Sequence, residues 1–417
     1  MRRFFILLTL ISSVLSCVPQ EKEIYIPKDL QSMNLNDPES EYSYERMVLT
    51  DNFAIFWEKG FGNDLSTAPD LEGQDMTIDL ERLKTKLESF YDYFYHDLGF
   101  AKKGSKADRY RMLVMLRYSL EGTAYGGDYD GQIGALWVTP SRLKDERLNC
   151  IAHELGHSFQ SQITCDGEGE AWGGHGFFEM TSQWMLWQVN PRWVEDESYH
   201  WDGFTAKCHK AYLHIDNIYH SPYILEFWGE KRGLKHIAEL YRHGKRGEDP
   251  AMTYMRLNGL SQEEFCDEMY EASSRIINLD YARAWDETRP YANKFSTSFV
   301  DGEDGWKHVV QEQCPEDYGF NAVAVPVPAP GETAEVDFKG CPDAGDPAKA
   351  GWRYGFVAVL EDGSTSYGDM NSAPEASIAF TAPEDSALKH LWLVVMGAPA
   401  EHRMDSDAQW PYAMRIR

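Results

Sequence analysis

The chain has 417 residues, 43% hydrophobic and 13% aromatic, which supplies a large packed core and argues against disorder. Lysine and arginine total 40 against 67 aspartates and glutamates, and the net charge of -27 repels phosphate backbones and anionic membranes, so nucleic acid is not an expected partner. The length exceeds the usual single domain and points to two domains with tethering segments.

The chain opens with MRRFFILLTLISSVLSC: two arginines, an apolar run too short to span a bilayer, and a small residue before Cys17. This reads as a signal segment, and Val14-Leu15-Ser16-Cys17 resembles a bacterial lipobox, which implies cleavage before Cys17 and lipidation of its thiol. Polar, proline-containing residues 18–42 then read as a tether. The other six cysteines, Cys150, Cys165, Cys208, Cys266, Cys314 and Cys341, permit three disulfides in an exported chain; no C-x-x-C pair occurs, so a cysteine zinc site is not expected.

Residues 46–57 are β-branched and aromatic enough for a strand, and residues 80–98 repeat Leu80, Leu83, Leu87, Phe90 and Phe94 at helical spacing. Residues 109–118 and 132–138 read as strands, the second entered through the glycine-rich turn GGDYDG. Thr139-Pro140 offers a helix start. The following helix runs to about Gln162, and Leu148, Ala152, Leu155 and Phe159 form its buried stripe. Five glycines make residues 163–176 a loop, and a second helix over 177–189 ends at Asn190-Pro191. Residues 222–285 are helical, with a capping box at Ser261 and Glu264. From about residue 290, short apolar runs broken by Gly, Pro and Asp predict a β-sandwich that Cys314 and Cys341 could staple. The expected fold is α+β over residues 43–289, followed by an all-β domain over 290–417.

Within the first of these two helices lies His153-Glu154-Leu155-Gly156-His157. Helix residues four apart share a face, so His153 and His157 can present two imidazoles to one ion, while Glu154 can reach a water beside it and act as general base. A catalytic zinc usually takes a third protein ligand and keeps one position open. After His157 comes SFQSQI, lacking the glycine and histidine of the metzincin pattern, so that class is excluded. Downstream candidates are Glu168, Glu170, His175 and Glu179; Glu179 lies 22 positions beyond His157, on the second helix, where a ligand is held more rigidly than on a loop.

This combination resembles the gluzincin zinc metallopeptidases. The resemblance implies Zn2+ held by His153, His157 and Glu179, Glu154 as general base, and a zincin-like domain whose edge strand above the cleft is residues 134–138. Glu179 and Ser182 look like the thermolysin-type Glu-x-x-Ser pattern, with Gln183 where aspartate is usual. The GFFEMTSQWM, PYILEFWGEKRG, WRYGFVA and LVVMGAP stretches are similar to a family of secreted bacterial proteins that includes avirulence and virulence proteins of the Svx type, over residues 40–417. Gluzincins also use a tyrosine or histidine to stabilise an oxyanion. Tyr219, His220 and Tyr223 lie near a helix start, and we assign the role to Tyr223 and His220. Trp184 and Trp187 read as core.

The expected activity is zinc-dependent endopeptidase cleavage of extracellular protein or glycoprotein by a monomer on the outer membrane or cell surface, touching the membrane only through its lipid anchor. The alternative is a surface adhesin or glycan-binding protein on a non-catalytic scaffold.

Overall fold

The computed structural model describes residues 21–341 and 351–417; the signal segment and Cys17 lie outside them. The first layer is a mixed sheet built from β1 (Glu23–Ile24), β2 (Met47–Leu49), β3 (Phe53–Trp57), β4 (Tyr110–Leu116), β5 (Ala124–Tyr129) and β6 (Ile133–Val138). Its order is β2-β3-β4-β6-β5, with β1 joined to β4. The pairs β3–β4 and β4–β6 are parallel, and β5 runs antiparallel to β6 as the outer strand. Strand β3 is buried on both faces, as is β4 beyond its first residue, which is why both read as continuous apolar runs.

Helix α1 (Leu80–Asp92) joins β3 to β4, is capped by Asp79, and widens into a π-helical turn over Tyr93–Asp97. Two helices then pack together: α2 (Asn149–Cys165), and α3 (His175–Val189). The helical region continues through α4 (Ser198–Lys207), α5 (Tyr223–Arg232), α6 (His236–His243), α7 (Pro250–Asn258) and α8 (Gln262–Ile277). Ser261 and Glu264 form the expected capping box of α8. Trp184, Trp187, Trp193, Trp201 and Trp228 are all fully buried in this core.

Phe159 fixes α2 to the layer beneath it. Its ring is fully buried and meets Tyr91 and Phe94 edge-on, at centroid distances of 5.2 and 5.7 Å. Phe159→Ala is expected to lower the unfolding free energy by about 3–5 kcal/mol, read as a shifted denaturant midpoint at unchanged slope.

From residue 299 the chain forms β7 (Phe299–Asp301), β8 (Lys307–Val309), β9 (Phe320–Ala324), β10 (Thr333–Gly340), β11 (Trp352–Leu360), β12 (Thr365–Tyr367), β13 (Glu375–Thr381), β14 (Leu388–Gly397) and β15 (Tyr412–Ile416). They make two sheets, ordered β13-β10-β15-β8-β7 and β12-β11-β14-β9, in which every pair is antiparallel. Phe338, Tyr412 and Met414 of one sheet share a core with Phe356, Leu393 and Val395 of the other. Alternate residues Val357, Trp392, Val394 and Met396 belong instead to the core of the helical region. The four-stranded sheet is therefore covered on both sides. Arg353 adds an ion pair to Asp267 of α8 at 2.6 Å.

Three expectations need correction. Residues 21–42 are no free tether: β1 pairs with β4, and Leu30, Leu35 and Tyr42 are buried in the core, because the segment alternates apolar anchors with its prolines. The outer strand is β5, not residues 134–138; Asp130, Gly131 and Gln132 alone connect β5 to β6, the first two at positive φ. Finally, Cys150, Cys165, Cys208, Cys266 and Cys314 are thiols rather than disulfide partners. Burial pushes Cys208 and Cys266 up to about 12, making them inert core residues. None of the described helices is long and apolar enough to cross a membrane.

Candidate metal centre

Helix α2 lies against the β5–β6 hairpin, and two contacts fix its position. Ser158 Oγ donates to Ala135 O at 2.7 Å, and the Gly126 N–H donates to Glu154 Oε2 at 2.8 Å. The approach at Gly126 is too close for any side chain, since a Cβ there would sit 1.8 Å from Glu154 O. Gly126→Ala is expected to force β5 away from α2 at a cost of about 1–3 kcal/mol, visible as a lower melting temperature.

From α2, His153 and His157 point toward α3, which contributes Glu179. His153 Nε2, His157 Nε2 and Glu179 Oε2 form a triangle whose three sides are each 3.2 Å. A tetrahedral zinc with ligands at about 2.0–2.1 Å has ligand–ligand edges of about 3.3 Å. The triangle is one face of such a tetrahedron, and it is the group of metal-competent side chains found among the described residues.

The neighbouring glutamines fix which ring nitrogen is free. Gln160 Nε2 is bound to the Phe178 carbonyl (3.0 Å), and Gln183 Nε2 to the Tyr219 carbonyl (3.0 Å). A carbonyl only accepts, so these amide ends must be NH2 groups, and each Oε1 faces an imidazole. Those oxygens lie 3.0 Å from His157 Nδ1 and 2.9 Å from His153 Nδ1, so both histidines donate from Nδ1 and turn the Nε2 lone pair toward the triangle. Gln183 thus does for His153 what the usual aspartate would do, without a charge.

Behind Gln183 lies His200, whose Nε2 accepts from the amide at 3.1 Å and whose Nδ1 meets His220 Nδ1 at 2.8 Å. Burial pushes His200 down to about 4, so it stays neutral. Around Glu179, burial pushes the carboxyl up, but the two imidazoles outweigh it and hold the group well below the usual carboxylate range. For Glu154 burial prevails over the nearby imidazoles and the Gly126 N–H, and its pKa is raised, the direction a proton acceptor working near neutrality requires.

The centre opens into a cleft of about 720 Å³. One bank is Ala124, Tyr125 and Gly126 of the outer strand; the other carries Ile215 and Tyr219. Of the two residues assigned to an oxyanion, neither faces it. Tyr223 is fully buried among Trp187, Trp201 and Phe204, because it begins α5 on the inward side. His220 turns back to His200. Tyr219 is the residue at the cleft: 44% exposed, with its ring stacked on His153 at 6.3 Å, and burial, then the nearby Glu179 carboxylate, raise its pKa. Its position depends on a turn before α5, which has no sequence periodicity.

The other ligand candidates lie elsewhere. Glu168 pairs with Arg242 and Lys102, and Glu170 accepts the Arg246 N–H. His175 lines the cleft one turn before Glu179, outside the triangle.

A model described as "Family of unknown function (DUF6055)" matches residues 16–417, and the chain belongs to that family. No curated protein matches. Among solved structures, the chain is similar to the ZmpB metallopeptidase from Clostridium perfringens at 11% identity and a TM-score of 0.32, covering 91% of this chain and 71% of that one. It is also similar to the CBM22-1 xylan-binding domain of Paenibacillus barcinonensis Xyn10C, at 12% identity and a TM-score of 0.20, over 29% of this chain and 80% of that domain.

Proposed function

We propose that this member of the DUF6055 family is a zinc-dependent endopeptidase, with a zincin-like catalytic region over residues 43–289 and an accessory β-domain over 290–417. The observation that carries the reading is the 3.2 Å triangle of two Nε2 lone pairs and a carboxylate oxygen, with a second carboxylate, Glu154, beside it. His153, His157 and Glu179 would hold the ion. When bound there, zinc polarises a carbonyl and lowers the pKa of water toward about 7.

The chain's own residues supply the rest. β5 is an edge strand and lines the cleft, a position where an extended polypeptide can lie alongside it. Gly126 holds Glu154 by Oε2, leaving Oε1 to take a proton from the attacking water and pass it to the leaving amine. The Tyr219 hydroxyl stands to donate to the carbonyl oxygen as negative charge builds on it. We place the protein on the bacterial outer membrane or cell surface, anchored through lipidated Cys17, with extracellular protein or glycoprotein as substrate; the support is the N-terminal segment.

The test is elemental analysis of purified protein joined to peptide profiling of a digested proteome. One zinc per chain is expected, with cuts that vanish on chelation and return with zinc. Cleavage indifferent to chelation, or a chain that binds no zinc, overturns the proposal.

A further inference from the structure

Tyr219 reaches the cleft from the irregular turn before α5, and two hydrogen bonds tie that turn to the helices behind it. Its carbonyl accepts from Gln183 Nε2 at 3.0 Å, and the next residue, His220, meets His200 of α4 Nδ1 to Nδ1 at 2.8 Å. His200 is buried, and the His220 ring lies over Gly203 of α4, where a Cβ would stand only 3.1 Å from it. Any side chain at 203 would press on the ring.

Two Nδ1 atoms at 2.8 Å can share only one proton, and the rest of the network decides which of them holds it. The Tyr219 carbonyl makes Gln183 Nε2 an NH2 group, whose second hydrogen faces His200 Nε2 at 3.1 Å. Nε2 of His200 is therefore bare, and a neutral imidazole bare at Nε2 carries its proton at Nδ1. His200 donates, so His220 Nδ1 is bare as well, with its own proton on Nε2. From His153 Nδ1 through Gln183 and His200 to His220, every bond has one permitted polarity. A further proton on His220 sets two N–H groups against each other, and the contact fails.

The surroundings set when that happens. Glu197 Oε2 is 3.5 Å from His200 Nε2, but it already accepts from the Trp193 indole at 3.0 Å, and its other oxygen accepts from Asn149. The Lys207 ammonium, at the end of α4, acts on His220, and the His153 imidazole of α2 acts on His200. Burial, then Lys207, lower the His220 pKa from its ordinary value of about 6.5. The bond's contribution is whole above that value and is lost as pH falls through the lowered one.

We propose that His200 and His220 are positioning residues for the metal centre, a latch that holds the turn carrying Tyr219 while both imidazoles are neutral and releases it when His220 takes a proton. The latch stands on the hydrogen-bond geometry; its effect on catalysis rests on the peptidase reading, with the Tyr219 hydroxyl as oxyanion donor.

Hydrogen exchange of the full zinc-free chain, read by mass spectrometry over residues 212–222 and corrected for the intrinsic rate at each pH, tests the latch without any turnover. Protection of that segment is expected to fall about 5–10-fold between about pH 7.5 and about pH 5. In His220→Asn it is expected to stay level, because the asparagine oxygen can take the place of Nδ1 and gains no proton. His153 and His157 titrate in both chains, so the difference belongs to His220. His220→Leu, with nothing to accept from His200, is expected to be as poorly protected at neutral pH as wild type is in acid. Wild-type protection that ignores pH, an equal fall in His220→Asn, or full protection in His220→Leu overturns the latch. For catalysis, the zinc-loaded chains are compared on a quenched peptide, each against its own rate near neutrality. Glu154 gives both an acid limb, but wild type is expected to lose about 10-fold more kcat than His220→Asn, with KM little changed. Equal kcat limbs beside unequal exchange overturn the catalytic role alone; unequal exchange with no cleavage at all overturns the peptidase reading and leaves the latch.

Discussion

Replacing Glu154 by glutamine is expected to leave one zinc per chain in place and to lower kcat/KM by about 10²–10⁴, the usual worth of a positioned general base. Glutamine has the shape of the native side chain, and its carbonyl oxygen can still take the Gly126 N–H that holds Glu154 Oε2 at 2.8 Å. The amide nitrogen then occupies the place of the free oxygen, where it can donate but not accept. Helix α2, His153 and His157 have no reason to move. Kinetics on an internally quenched peptide, with metal analysis of the same preparation, separate the two effects. A variant that cuts as fast as wild type would move the base elsewhere; one that has lost its zinc would show Glu154 to be structural.

Glu179→Ala is expected to do the opposite: it should weaken zinc by more than about 100-fold, beyond what loss of a residue merely supporting a ligand costs. Two imidazoles remain, still turned correctly by Gln160 and Gln183, but the third corner of the triangle is gone. Glu179 is 26% exposed at its side chain and its bonds run only to groups of the centre, so the metal-free fold should survive. The readout is competition with a chelating dye, alongside melting with and without zinc. Wild type should melt higher when zinc is added, because binding to the folded state alone stabilises it by mass action. The variant should not. Zinc affinity unchanged in Glu179→Ala would reopen the third position to His175.

Much of this was legible in the sequence, and the failures share a cause. Helices α1 to α3 and the strands of the C-terminal region announce themselves because burial on one or both faces imposes a period. The pair His153 and His157 is equally local, a consequence of four-residue spacing on one helix. What the sequence hid is whatever depends on contact between distant segments. The residues GGDYDG read as a turn because glycine breaks regular structure, yet Gly126 and Gly127 are strand residues, and Gly126 is glycine because α2 presses on it. Tyr219, His220 and Tyr223 differ by only a few positions along an irregular turn, so nothing local distinguishes the one facing the cleft from the one in the core. Gln183 looked like a departure from the expected aspartate; only the carbonyl of Tyr219, 36 residues away, shows that its amide is turned to serve the same end.

The contact at Gly126 also divides the cleft into two unlike halves. On that side the distance between strand and helix is set by main chain against main chain, with no side chain in between to lengthen or shorten. Such a wall behaves as a fixed gauge: mutation can break it but cannot adjust it. Change in what the cleft accepts is therefore closed at Gly126 and open at the exposed side chains around it, Tyr125 on the same bank, 63% exposed, and Ile215 on the opposite one, 73% exposed. Among related chains, those two positions are where differences in the cleft should be written.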